Sequence, residues 1–94
     1  MPIKFYYVYI LLSLHDENFY IGLTNDLKRR LSEHKRGKNI STAKRLPLRL
    51  IYYEAFISGK DARRREKYFK TTKGKKALKL MLREALIQKI YITN

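Results

Sequence analysis

Between Tyr7 and His34 the chain reads YVYILLSLHDENFYIGLTNDLKRRLSEH. Two short tyrosine-bearing apolar runs, Tyr7-Val8-Tyr9 and Tyr20-Ile21-Gly22, precede a basic segment with Arg30 and His34 one helical turn apart. Phenols, a guanidinium and an imidazole in a small volume suit a phosphodiester. The guanidinium grips a non-bridging oxygen, and the titratable groups handle the proton of an attacking water. Further on, Glu66 stands alone as a carboxylate among Arg63, Arg64, Arg65 and Lys67. It is either a partner in intrahelical salt bridges or a metal ligand at the rim of a basic cleft. Arg30 and His34 are open in the same way: they flank the core and snorkel outward, or they meet the tyrosines. Strand tyrosines are usually packing residues, so Tyr9 alone decides nothing.

Two strands and a helix must bring these groups together. Phe5 to Leu12 is aromatic and β-branched and reads as a strand buried on both faces. The polar connection Ser13 to Asn18 leads to a second strand, Asn18 to Thr24, antiparallel to the first. Gly22 inside that strand marks a bulge or a close backbone approach. Thr24-Asn25-Asp26 offers caps for a helix from Leu27 to Arg36, and Gly37 stops it. Leu27, Arg30, Leu31 and His34 fall on one stripe of that helix.

Lys38 to Pro47 is basic, lacks apolar periodicity and reads as a mobile, phosphate-facing loop. A third strand covers Arg49 to Phe56. Ser58 and Asp61 resemble a capping box opening a helix from Lys60 to Thr72, with Ala62, Glu66 and Phe69 on one face. After a break at Thr71 to Gly74 a last helix runs from Lys75 to Lys89. Its Leu78, Met81, Leu82, Ala85 and Leu86 form a packing stripe, and Ile90 to Asn94 reads as a tail.

The 94 residues amount to one domain over 1–94, with its core at about residues 4–82. With no cysteine, neither disulfides nor a zinc–thiolate site hold it. The apolar N-terminal run is too short to span a bilayer and has no small-residue cleavage site, so the expected location is the cytoplasm, away from membranes. A formal net charge of +14, from 22 Lys plus Arg against 8 Asp plus Glu, calls for an anionic partner, with nucleic acid first.

Tyr7-Val8-Tyr9, then Tyr20-Ile21-Gly22 after ten residues, the Arg30–His34 helix and Glu66 in a later Arg-Arg-Glu helix together resemble the GIY-YIG nuclease domain. Within that superfamily the chain is most similar to the small stand-alone bacterial UPF0213 group, related to structure-specific endonucleases. The resemblance covers nearly the whole chain, Lys4 to Leu82. It implies an α+β fold, a three-stranded antiparallel sheet flanked by helices in the order β-β-α-β-α-α, in agreement with the elements above. It puts the two motif tyrosines on Tyr9 and Tyr20, the helix arginine on Arg30, the histidine on His34 and the metal-binding glutamate on Glu66. Tyr7 stands where the name-giving glycine would sit, Gly22 closes the second motif, and Leu23 replaces a lysine of some relatives.

The resemblance further implies an endonuclease acting on DNA with one divalent ion, Mg²⁺ or Mn²⁺, on Glu66. Tyr20 or Tyr9 would be the base, and the other would orient water or metal. His34 would orient a tyrosine or shuttle a proton. A phenol with an ordinary pKa of about 10 serves as a base only if a nearby cation lowers that value. Lys28, Arg29, Lys35, Lys38, Lys44 and Arg45 are expected to hold backbone phosphates, with Arg63, Arg64 and Arg65 across the cleft. Nothing resembles base-edge readout, so structure or single-strand preference is expected over sequence specificity. Two other readings stand beside the nuclease: a nucleic-acid-binding module without catalysis, and a subunit whose last helix docks a protein partner that supplies targeting.

Overall fold

The computed structural model describes residues 3–88. The expected helix end at Lys89 and the tail Ile90 to Asn94 lie outside the described residues. Strand β1 spans Tyr6–Ser13, β2 Phe19–Thr24 and β3 Leu48–Phe56. They pair antiparallel in the order β2-β1-β3. Helix α1 (Leu27–Lys35) follows β2, while α2 (Gly59–Phe69), α3 (Thr72–Met81) and α4 (Arg83–Ile87) follow β3. The fold is the expected α+β arrangement, β-β-α-β-α-α, with its last helix in two pieces. No helix among the described residues is long and apolar enough to cross a membrane.

As the central strand, β1 needs apolar side chains on both faces, and Val8, Tyr9, Ile10, Leu11 and Leu12 are each no more than 1% exposed. Alternation divides them. Val8 and Ile10 join Ile21, Ala62, Phe69, Leu78 and Leu82 in the main core under α2 and α3. Tyr7, Tyr9 and Leu11 point the other way. Directly paired residues share a face, so Gly22 and Tyr53, the partners of Tyr9, lie on this second face too. The β1–β3 register shifts between Ile10 and Leu11: Ile10 faces Tyr52, and Leu11 faces Leu50. The extra residue, Ile51, brings Leu50 and Tyr53 to one face although their spacing would otherwise separate them.

Caps set the helix ends. Asp26 accepts a hydrogen bond from the Arg29 amide at 3.1 Å, and Gly37, at φ +70, follows the end of α1. Ser58 accepts from the Lys60 amide at 3.2 Å. Asp61, expected to complete a capping box, pairs with Arg64 at 3.1 Å. Thr71 accepts from the Gly74 amide at 3.0 Å and so caps α3. This cap ends α2 at Phe69, before the expected Thr72, and starts α3 before the expected Lys75. The bend at Leu82 breaks the expected packing stripe. Leu78 and Leu82 are buried, but Met81 is 44% exposed.

One polar clamp ties α2 to the sheet. Arg65 donates from Nε and Nη2 to both oxygens of Glu54 at 2.9 and 3.0 Å, and Tyr52 donates to Glu54 at 2.6 Å. The Arg65 guanidinium also lies over the Phe69 ring, 4.3 Å from its centroid. Glu54→Ala strands the partly buried Arg65 and Tyr52 donors, at an expected cost of about 2 kcal/mol. The thermal midpoint followed by circular dichroism should fall by roughly 10 °C; an unchanged midpoint would show that the clamp contributes nothing.

Candidate active site

The second face of the sheet gathers the candidate residues. The Tyr9 ring lies across Gly22 on the neighbouring strand, and a Cβ on Gly22 would overlap Tyr9 Cζ and Oη. The glycine is therefore the gap through which the phenol passes. Beyond it, Tyr9 Oη is 2.8 Å from His34 Nε2, and His34 Nδ1 is 2.8 Å from Thr42 Oγ1. All three side chains are buried. A neutral imidazole has one donor and one acceptor, so two proton arrangements fit. Either Tyr9 donates to Nε2 and Nδ1–H donates to Thr42, or Thr42 donates to Nδ1 and Nε2–H donates to Tyr9.

Burial, reinforced by the nearby Arg30 cation, lowers the His34 pKa, which keeps the ring neutral at neutral pH. Burial pushes the Tyr9 phenol up to about 12, the nearby Tyr20 adds to the rise, and the Arg30 cation opposes it. Tyr9 therefore keeps its proton in the free protein. Tyr20 is half-buried. Its ring meets that of His34 edge-on, 5.1 Å between centroids at 65°, and lies 6.3 Å from that of Tyr9.

Arg30 projects from α1 beside this trio. Its Nη1 donates to Glu33 at 3.2 Å, and its Nε is buried with no partner of strict hydrogen-bond geometry among the described residues, although the guanidinium lies close enough to the Tyr9 hydroxyl to interact with it. A guanidinium held beside buried phenols with a donor not fully engaged can take up an anionic oxygen, which makes Arg30 a functional candidate. Glu33 also binds Arg29 at 3.0 Å. Its carboxyl is held below the usual range, first by the bond from Arg30. From the far side of the sheet, α2 supplies Glu66, whose charge reaches Tyr9 and raises its pKa slightly. The Glu66 carboxylate, 19% exposed, pairs with Lys70 at 3.2 Å.

Tyr20, Arg30, His34 and Glu66 thus each lie within hydrogen-bond, ring or electrostatic reach of Tyr9. Tyr7 is nearby on β1 and packs edge-on against Tyr53 at 6.0 Å. The cations divide. Lys28, Lys35, Lys38, Lys44 and Arg63 are exposed. Arg29 is engaged by Glu33 and Asp26, Arg64 by Asp61 and Arg65 by Glu54.

Arg45, expected among the phosphate contacts, is instead built into the fold. It donates from Nε to Asp16 at 2.6 Å and from Nη2 to the Asn18 and Phe19 carbonyls at 3.1 and 3.2 Å. Arg45 holds the Asp16 carboxyl down at about 2, helped by the Asn18 amide. The loop Lys38 to Pro47, expected to be mobile, is likewise fastened. Ser13 donates to the Arg45 carbonyl at 2.6 Å, the Leu14 amide to the Pro47 carbonyl at 2.9 Å, and Thr42 holds His34.

Sequence reasoning missed Thr42 and Glu33 as residues that support the site. Glu33 was detectable, since it stands three residues after Arg30 on the same helix. Thr42 was not, because a threonine in a basic loop gives no periodic signal.

Two measurements address this chain of groups. Because the fold holds His34 neutral, the unfolded chain takes up its proton first as pH falls. Stability from His34 is complete above about pH 6.5, the ordinary value, and is lost below it as pH falls toward the lowered folded value. Urea midpoints of the wild type should decline below about pH 6.5, while His34→Gln shows a flatter profile; parallel profiles would exclude His34 as the source. Thr42→Val removes the second anchor of the imidazole and should cost about 1–3 kcal/mol in urea unfolding. A cost below about 0.5 kcal/mol would show that the bond to His34 is dispensable.

Two tyrosine strands around a glycine gap, an Arg–His helix and a glutamate-bearing helix define one class of protein. The GIY-YIG catalytic domain matches residues 5–79, and the chain belongs to the GIY-YIG family. It is 46% identical over 71 residues to a UPF0213 protein of Lacticaseibacillus paracasei, covering 74% of this chain and 79% of that one. Against a UPF0213 protein of Streptococcus agalactiae the identity is 46% over 65 residues, covering 68% and 73%. A solution NMR structure of a UPF0213 protein from Bacillus halodurans matches with a TM-score of 0.53 and 36% identity, covering 82% of this chain and 84% of that one.

Proposed function

We propose that this protein is a metal-dependent endonuclease that hydrolyses phosphodiester bonds in DNA and selects its target by structure more than by sequence. The observation that supports this reading is the gathering of Tyr9, Tyr20 and His34 by hydrogen bond and ring contact, with the Arg30 guanidinium beside Tyr9 and the Glu66 charge within its electrostatic reach. Arg30 would hold a non-bridging phosphate oxygen, with Glu33 fixing its approach. Tyr20, unlike the enclosed Tyr9, would meet the attacking water. Tyr9 and His34 would orient Tyr20 from behind and pass a proton between Oη and Nε2. Lys28, Lys35, Lys38, Lys44 and Arg63 would hold neighbouring phosphates.

Among the described residues no three acidic or histidine side chains gather as a metal cage. The donor set still fits a hard divalent ion on Glu66, because Mg²⁺ keeps several waters and takes substrate phosphate as ligand. Lys70, 54% exposed, can give way, since a surface pair is worth little. When bound, the ion supplies Lewis-acid stabilisation of charge on the phosphate and the leaving 3′ oxygen.

A second reading, a nucleic-acid-binding module without catalysis, is favoured by the raised Tyr9 pKa and the Glu66–Lys70 pair. The test is a cleavage panel of single strand, duplex, flap and four-way junction with Mg²⁺, Mn²⁺ or chelator. The nuclease reading expects metal-dependent products that chelator abolishes. Tight, salt-sensitive binding with no product on any substrate would establish the binding module.

A further inference from the structure

Helix α1 covers only part of the second sheet face, leaving a seam between α1 and β3. Two hollows lie along it. One, of about 510 Å³, is walled by Leu11, Leu31, Pro47 and Leu50 and reaches His34, with Lys35 and Arg49 among its lining residues. The other, of about 460 Å³, is walled by Tyr7, Leu27, Leu31 and Tyr53, with Lys28 and Asp26 beside them. Leu31 lines both. Leu50 and Tyr53 are 38% and 50% exposed, and they share this face only because of the extra residue at Ile51. Asp26 is the acidic residue here, and its carboxylate is occupied by the Arg29 amide and guanidinium.

We infer that this seam is a groove for an unpaired nucleic-acid strand, with Tyr53 as a stacking platform for a nucleobase. The inference rests on the reading of the adjoining site as one that meets nucleic acid, and it specifies which part of a substrate lies where. An apolar, partly aromatic floor with lysines beside it is the arrangement that single strands select. Bases find rings and aliphatic walls, and phosphates find cations. A duplex keeps its bases stacked inside and gains nothing from such a floor. Continuity supports the same occupant, since one hollow ends at His34. A substrate with an unpaired strand beside its cleavage point would thread the groove as its phosphate meets Arg30.

The test is binding in chelator, so that cleavage plays no part. Fluorescence anisotropy titrations compare a short labelled oligothymidylate with a duplex of equal length, for wild type, Tyr53→Ala and Tyr53→Phe. Tyr53→Ala is expected to weaken single-strand binding roughly ten-fold and duplex binding less than about two-fold, with Tyr53→Phe restoring the wild-type value. The salt dependence should be unchanged in Tyr53→Ala and shallower in Lys35→Ala. In the wild type, the oligothymidylate should shift the Tyr53 ring and Leu50 methyl resonances, a readout that needs no variant to fold.

Equal losses for both ligands, no loss, or unmoved Tyr53 and Leu50 resonances would overturn the groove. So would a wild-type dimer, detected by sedimentation, that Tyr53→Ala dissociates, because a second copy would then occupy the seam. Unchanged binding beside metal-dependent cleavage would sink the groove alone. Selective single-strand loss in a protein that cleaves nothing would sink the nuclease reading alone.

Discussion

Glu66→Gln should abolish cleavage while leaving the fold and nucleic-acid binding intact. Glutamine keeps the size and one oxygen of the side chain but removes the charge on which a hard divalent ion depends. No cluster of acidic or histidine ligands among the described residues is available to replace it. On the proposed mechanism, losing the ion would remove several kcal/mol of charge stabilisation, so the expected fall in rate is at least about 1,000-fold. The stability change should stay within about 1 kcal/mol, because the bond lost is the exposed contact to Lys70. Single-turnover cleavage with Mg²⁺ or Mn²⁺, beside urea unfolding of the same preparation, checks both halves. A variant that cleaves at the wild-type rate would refute the role of Glu66 and with it the one-carboxylate mechanism.

The second large effect is expected at a residue with no side chain. Gly22→Ala places a methyl group where the Tyr9 ring now lies. Tyr9 cannot yield cheaply, because it is fully buried and bonded to His34, which is in turn bonded to Thr42. Overpacking and the loss of one buried hydrogen bond together should cost about 3 kcal/mol. At lower temperature, where the variant is folded, the His34 side-chain resonances should move, because the Tyr9 contact is the one displaced. Unfolding free energy within about 0.5 kcal/mol of wild type would mean that the ring has room to spare.

These two residues were legible in the sequence to different degrees. Tyr9, Tyr20, Arg30, His34 and Glu66 were raised as candidates by type and spacing, with packing and salt-bridge readings left open, and their roles followed only from the GIY-YIG resemblance, whereas the sheet and main helices were read close to their observed positions. Alternation in β1 and helical spacing in α1 are local properties, carried by neighbouring residues. Gly22 was marked as a close approach, but which group approaches it depends on the β1–β2 register, and that is a tertiary fact.

What tertiary structure alone decided lies mostly in the polar residues. Arg45 read as a phosphate contact in a basic loop, yet it is folded into the β1–β2 turn through Asp16. Thr42 became the anchor of His34 because the loop closes back on α1, and no periodicity announces that. The bulge at Ile51 turned Leu50 and Tyr53 toward the same face, and one extra residue in a strand is invisible until its partner strand is known. Local pattern determines which segments become strands and helices because it depends on neighbours along the chain. Which donors, acceptors and rings meet depends on neighbours in space, and only the folded chain supplies those.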